Sequence, residues 1–145
     1  MVVVHPVGNF VVPALKSAKS IRFIHTDQAV LHNLPVHKLE YHKPLTAGNS
    51  LDGAGVVLLE PEAVTKEGVF VQNGGRLLAE LAAARGIPVY AIATSWHVAS
   101  EWHAKPNHEK VSGGLLTGVL SEHGIYSHKD FITKVKKDFP WIIKT

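Results

Sequence analysis

"VVLLEPEAVTKEGVFVQNGGRLLAELAAARGIPVYAIA", residues 56–93, decides the fold. Its first five residues, Val56 to Glu60, are apolar up to the closing acid. A strand buried on both faces in the middle of a parallel sheet needs that composition. A helix is predicted over 74–85. Leu77 and Leu81 stack four residues apart, as do Leu78 and Ala82; Gly86 ends the run and Pro88 follows. "PVYAIA", 88–93, then reads as a second buried strand. Between the first strand and the helix lies an excursion, with "GVFVQ" (68–72) as a candidate hairpin or short strand. Strand, helix, strand argues for parallel pairing and a right-handed crossover.

Working outward, "VVVH" (2–5) is a short buried strand stopped by Pro6 and Gly8, and a short helix is predicted after Pro13. "IRFIH" (21–25) is the next strand. "VHKLEYH" (36–42), bracketed by Pro35 and Pro44, reads as an edge strand. "WHVASEWHAKPNHEK" (96–110) reads as a polar loop, and "GGLLTGVLSEHG" (113–124) as a helix or an extended arm closing at Gly124. Ser127 with Asp130 starts a last helix, whose Phe131, Ile132, Val135 and Phe139 lie on roughly one face. The class is therefore α/β, with a mostly parallel sheet and helices on its faces. Ligands of such sheets collect at the carboxyl ends of the strands, which brings His5, His25, residues 60–62 and residues 94–97 toward one edge.

The chain has 145 residues, 46% hydrophobic and 19% charged, enough to bury a core and too apolar for disorder. Residues 1–145 are expected to form a single domain. No run of 18 apolar residues offers a membrane span, and the apolar start lacks the basic leader of a signal peptide. Without cysteine these residues hold no disulfide, no thiolate metal site and no cysteine nucleophile, which fits a cytoplasmic protein. The formal charge is +3, and five lysines lie between Lys129 and Lys144. A solvated helix face accounts for them. No aromatic-interleaved signature accompanies them, so nucleic acid is not an expected partner.

Three groups of residues bear on chemistry. The ten histidines include His32, His37 and His42, and the pairs His103/His108 and His123/His128, spaced by five. That spacing shares neither a helix face nor a strand face, so no metal site is expected, and no cofactor either. The loop "VQNGGR" (71–76) opens a helix. Its free backbone N–H groups and Arg76 form an anion site by construction, with Gly74 and Gly75 at the turn and Gln72 and Asn73 beside it. Glu62, just past the central strand, is a candidate general base if burial raises its pKa. Ser95 and His97 stand too close along the chain to define a dyad.

"GAGVVLLEPEAVTKEGVFVQNGGRLLAELAAARGIPVYAIATSW" (53–96) resembles the core of the translation initiation factor 2B family, which includes the factor's alpha, beta and delta subunits. Methylthioribose-1-phosphate and ribose-1,5-bisphosphate isomerases also belong to it. "VSGGLLTGVLSEHGIYSH" (111–128) is similar to that family's closing segment, and "VVVHPVGN" (2–9) and "IRFIHTDQ" (21–28) occupy the places of two earlier strands. The resemblance spans most of the chain from Val2 to about His128. It implies a Rossmann-like three-layer sheet domain, here in a minimal form without the family's helical N-terminal domain.

It also implies a site made of Glu62 with His5, Gln72, Asn73, Gly74, Gly75 and Arg76. Glu62 stands at the place of the family's aspartate. Gln72-Asn73 replace its asparagine-lysine pair, its arginine falls near Asp27-Gln28, and its cysteine is absent. These departures remove a reacting group and two cations of a phosphate site. The expectation is a non-catalytic or divergent binding protein, translation-related and homodimeric. Its ligand would be a phosphorylated metabolite or nucleotide, or a protein such as a translation factor. The alternatives are a sugar-phosphate isomerase with Glu62 as acid or base, and a homo-oligomeric scaffold.

Overall fold

The strands in chain order are β1 (Val2–His5), β2 (Ser20–Ile24), β3 (Lys38–His42), β4 (Val56–Leu59), β5 (Ala63–Thr65) and β6 (Gly68–Gln72), followed by β7 (Val89–Ile92), β8 (His108–Ser112), β9 (Gly118–Ser121) and β10 (Gly124–Tyr126). The helices are α1 (Gly75–Ala84) and α2 (His128–Asp138). The structure, a computed structural model, describes residues 2–5, 20–24, 38–42, 51–103 and 105–142, without the side chains of 4–5, 20–24 and 38–42. The helix expected after Pro13 and the strand end at His25 lie outside these residues.

Seven strands form one sheet in the order β10-β9-β7-β4-β1-β2-β3, parallel throughout except for the β9–β10 hairpin. β3 is an edge strand, as its flanking prolines imply. Register explains the core. Val3, Val57 and Val89 lie side by side, as do Leu59, Ala91 and Val119, and all belong to one buried cluster. Leu78, Ala79 and Ala82 of α1 and Phe131 and Val135 of α2 pack into that cluster. The opposite face is covered too, since Leu58 and Ile92 are buried. The mostly parallel α/β class read from the sequence is the one the structure has.

The excursion after β4 is larger than a hairpin. β5, β6 and β8 form a separate antiparallel sheet in the order β5-β6-β8. Its Val64, Val69 and Val111 sit opposite one another and join the main core. The polar stretch 96–110 is thus more than a loop. It holds a single 3-10 turn (Ser95–His97) and the start of β8. Residues 113–124 form no α-helix. A 3-10 turn (Gly113–Leu115) leads into β9, and Gly124, at φ 115°, turns the chain into β10. β9 is extended between β7 and β10, and Gly118 within it lies against Tyr126 and Tyr90. A Cβ there would stand 2.9 Å from the Tyr126 carbonyl oxygen.

Candidate functional site

From β1 the chain moves one way across the sheet, to β2 and β3. From β4 it moves the other way, to β7 and β9. β1 and β4 are therefore the strands where the order reverses, and their carboxyl ends flank the crevice in which such sheets hold ligands. His5 pairs with Leu59 there, with Glu60 next in the chain. The His5 side chain lies outside the described residues. The carboxyl ends of β7 and β9 continue the same edge and bring Thr94, Ser95, Glu122 and His123 toward it.

The loop at the start of α1 has the geometry of an anion site, and an anion from the chain itself fills it. Along β8, alternation turns Glu109 and Val111 to one face and His108 and Lys110 to the other. Val111 is in the core, so Glu109 points toward the helix start. Its Oε1 accepts the Gly74 N–H and the Arg76 N–H, each at 2.9 Å. Gly74 takes φ 98°, which suits glycine, and supplies no capping side chain of its own. The carboxylate of Glu109 is therefore the cap. The Arg76 guanidinium is turned along the helix to Glu80, 3.0 Å away, and that hydrogen bond and the charge of Glu80 raise its pKa. Gln72 ends β6 opposite His108, and Asn73 donates its N–H to the Asn107 carbonyl.

Glu62 lies on the other face of the small sheet. Its backbone N–H extends the β5–β6 ladder to the Phe70 carbonyl. Lys105 Nζ donates to its Oε1. His108 Nε2 stands 2.7 Å from Oε2, a buried oxygen with no hydrogen-bond partner among the described residues. Asn107 Oδ1 lies 2.8 Å from the other ring nitrogen of His108. Glu62 is thus held in a chain with His108 and Asn107, apart from the helix start that Glu109 caps. Beside this sheet an open cleft of about 760 Å³ runs between Thr65, Lys66, Glu67 and Phe70 and the segment from Ser100 to His103. Of the histidines named above His103 lines it, but Glu62, Gln72, Asn73, Gly74, Gly75 and Arg76 are not among its lining residues.

A cluster that the sequence did not pair stands at the ends of β7 and β9. Ser95 is buried. Its N–H donates to both carboxylate oxygens of Glu122 (3.0 and 3.1 Å), and its Oγ lies 3.1 Å from Glu122 Oε1 and 3.0 Å from His123 Nε2. Serine and glutamate both meet the same imidazole nitrogen, so the arrangement lacks the serine–histidine–acid order of a triad, in which the acid binds the opposite nitrogen. Ser95 stands 27 and 28 positions before Glu122 and His123, and the parallel pairing of β7 with β9 brings them together.

His97 turns inward to Thr94. The Thr94 N–H donates to Nδ1 at 2.9 Å, so this nitrogen carries the lone pair. Burial lowers the pKa of His97 below its ordinary 6.5, against smaller opposing effects of the Thr94 backbone and Glu122. The folded chain therefore binds this proton less readily than the unfolded chain. Between the folded value and 6.5 the unfolded state holds more protons, so stability is fully present above about 6.5 and falls as pH drops through that window. Thermal melts between pH 7.5 and 5.5 are expected to show a falling midpoint, less so in His97→Asn, whose Oδ1 keeps the acceptor without titrating. Equal slopes in both proteins would remove His97 as the cause.

No protein-family model matches the chain, and no curated protein matches it. Solved structures do. Translation initiation factor eIF-2B of Pyrococcus horikoshii OT3 superposes with a TM-score of 0.75 at 15% identity, over 87% of this chain and 57% of that one. The 5-methylthioribose 1-phosphate isomerase of the same organism gives 0.71 at 14%, over 94% of this chain and 54% of that one. A chain of the tetrameric eIF2B-beta2-delta2 complex of Chaetomium thermophilum gives 0.69 at 12%, over 94% and 54%. The protein is an α/β domain with a doubly wound, mostly parallel sheet. More particularly, its fold is the one shared by the eIF2B subunits and the methylthioribose-1-phosphate isomerase. It spans about half the length of those chains. No helix among the described residues is long and apolar enough to cross a membrane.

Proposed function

We propose that this chain is a binding domain that keeps the initiation factor 2B scaffold without isomerase chemistry, and that it works by associating with a second chain of the same fold. The observation that carries this reading is the carboxylate of Glu109 at the start of α1. A phosphate would have to displace an acceptor tethered to the neighbouring strand, with Arg76 already engaged by Glu80. The 145 residues also contain no cysteine to react.

Association has its own support. β10 is an outer strand of the large sheet, and Ile125 on it is 71% exposed. Its outer edge is unpaired among the described residues, and such an edge with an exposed apolar residue favours pairing with another chain. The eIF2B beta and delta subunits, which share the fold, form a tetrameric complex. A translation-related role would follow from the same likeness.

Light scattering across a concentration series tests the reading. A concentration-dependent dimer is expected, weakened in Ile125→Lys. Phosphate, ribose 5-phosphate and AMP are expected to leave the melting midpoint unchanged. A strict monomer at every concentration would overturn the assembly reading. A shift of several degrees with one phosphate ester would return the site to phosphate binding.

A further inference from the structure

We infer that the surface formed by Trp96, Phe139 and Trp141, beside the lysines of α2, is a stacking platform for single-stranded nucleic acid. In sequence Trp96 stands far from the other two rings. The fold brings them together: the Trp96 and Phe139 ring centres are 6.3 Å apart, and Phe139 and Trp141 meet edge to face at 5.7 Å. Phe139 is half-buried and acts as the spacer. The tryptophans stand out of the surface, 85% exposed at Trp96 and 75% at Trp141. Packing does not explain exposure of this size, because a core tryptophan buries most of its ring.

The backbone that carries both rings is held in place. Trp96 sits in the 3-10 turn that Thr94 and His97 cap reciprocally. Trp141 lies in a turn closed by the Ile142 N–H to the Phe139 carbonyl at 3.0 Å. Ser100 Oγ then donates to the Ile142 carbonyl at 2.8 Å and ties that turn to the body of the domain. Indoles with only two side-chain torsions on an anchored backbone lose little entropy when a base stacks on them.

The charge beside them selects the partner. Lys134 pairs with Asp138 at 3.2 Å. Lys136 and Lys137 occupy the last turn of α2, two to five residues before the Phe139–Trp141 pair, and neither has an acid partner among the described residues. Aromatic faces next to unpaired cations match alternating bases and phosphates. The basic segment thus has the aromatic interleaving that its linear sequence lacks, supplied through space by Trp96. An acidic peptide would use the lysines without needing two open indole faces. This inference goes beyond the assembly reading and uses a different surface from Ile125.

Fluorescence anisotropy with labelled oligouridylate and oligothymidylate tests it on the full chain, with quenching of tryptophan emission as a second readout. Saturable, quenching binding is expected. Trp96→Ala and Trp141→Ala are each expected to weaken it roughly tenfold, with Trp→Phe retaining most of the affinity. Lys136→Gln with Lys137→Gln is expected to reduce the slope of log affinity against log salt by about 1.4. Because all four side chains are exposed, the variants should melt like the parent. Absence of binding at about 50 mM salt, or binding indifferent to both tryptophans, would overturn the inference. So would equal affinity for a polyglutamate peptide. Tryptophan variants that abolish dimerisation, in a protein that binds no oligonucleotide, would assign the patch to the protein interface instead.

Discussion

Gly68→Ala is expected to destabilise the protein by about 3 kcal/mol, near the top of the usual range for overpacking. A Cβ at this position would stand 2.0 Å from the Val111 carbonyl oxygen and 3.0 Å from the Gly113 N–H nitrogen. Both neighbours are backbone, so no rotamer change relieves the clash, and β8 has to move away from β6. The pairs Gly68–Ser112 and Val69–Val111 would open first. Val111 carries the small sheet into the main core, and Glu109 caps α1 from the same strand, so the damage would spread to the helix start. For a domain of this size the melting midpoint should fall by roughly 10 °C. Amide exchange should speed up first between residues 108 and 112. A midpoint unchanged to within about a degree would mean that β6 and β8 are not this close in solution.

β4, α1 and β7 were legible because local pattern and tertiary role agree there. β4 is apolar on both faces because both faces are covered, and α1 carries its leucines and alanines at helical spacing because one stripe meets the sheet. Residues 113–124 left a helix and an extended arm open, and the structure has the extended one, turning at Gly124. Leu115, Leu116, Val119 and Leu120 recur at a spacing that also suits a helix. What makes the segment a strand is its pairing with β7 and β10, and the β7 partners lie far away in the sequence.

The anion end shows the same limit. Its glycines and free N–H groups were readable from "VQNGGR". That Glu109 fills it follows from the register of β8 against β6, an antiparallel pair separated by more than thirty residues. The sequence also placed Ser95 near the functional edge but had no means of finding its partners. Glu122 and His123 reach it only because β9 lies parallel to β7.

Phe131→Ala is expected to have the largest effect on stability, about 3–5 kcal/mol. Among the described residues Phe131 heads the fully buried side chains by volume, with 0% exposure. It also carries more of its helix than an ordinary core residue does. α2 is polar over most of its surface, and its buried residues are His128, Phe131 and Val135. His128 spends its ring on the Thr65 carbonyl, 2.8 Å away, so Phe131 and Val135 supply the apolar anchor. Truncating Phe131 removes its transfer energy and leaves a cavity that the rigid sheet behind it cannot close. The consequence reaches function, because α2 leads directly into Phe139 and Trp141. Loosening it should cost oligonucleotide affinity together with stability, whereas Ile132→Ala, at a half-buried position of the same helix, should cost much less of either. Chemical denaturation followed by far-ultraviolet circular dichroism measures the first quantity, and anisotropy on the same samples the second. A loss below about 1 kcal/mol would mean that α2 is anchored through contacts other than Phe131, and the coupling between the core and the aromatic platform would fail with it.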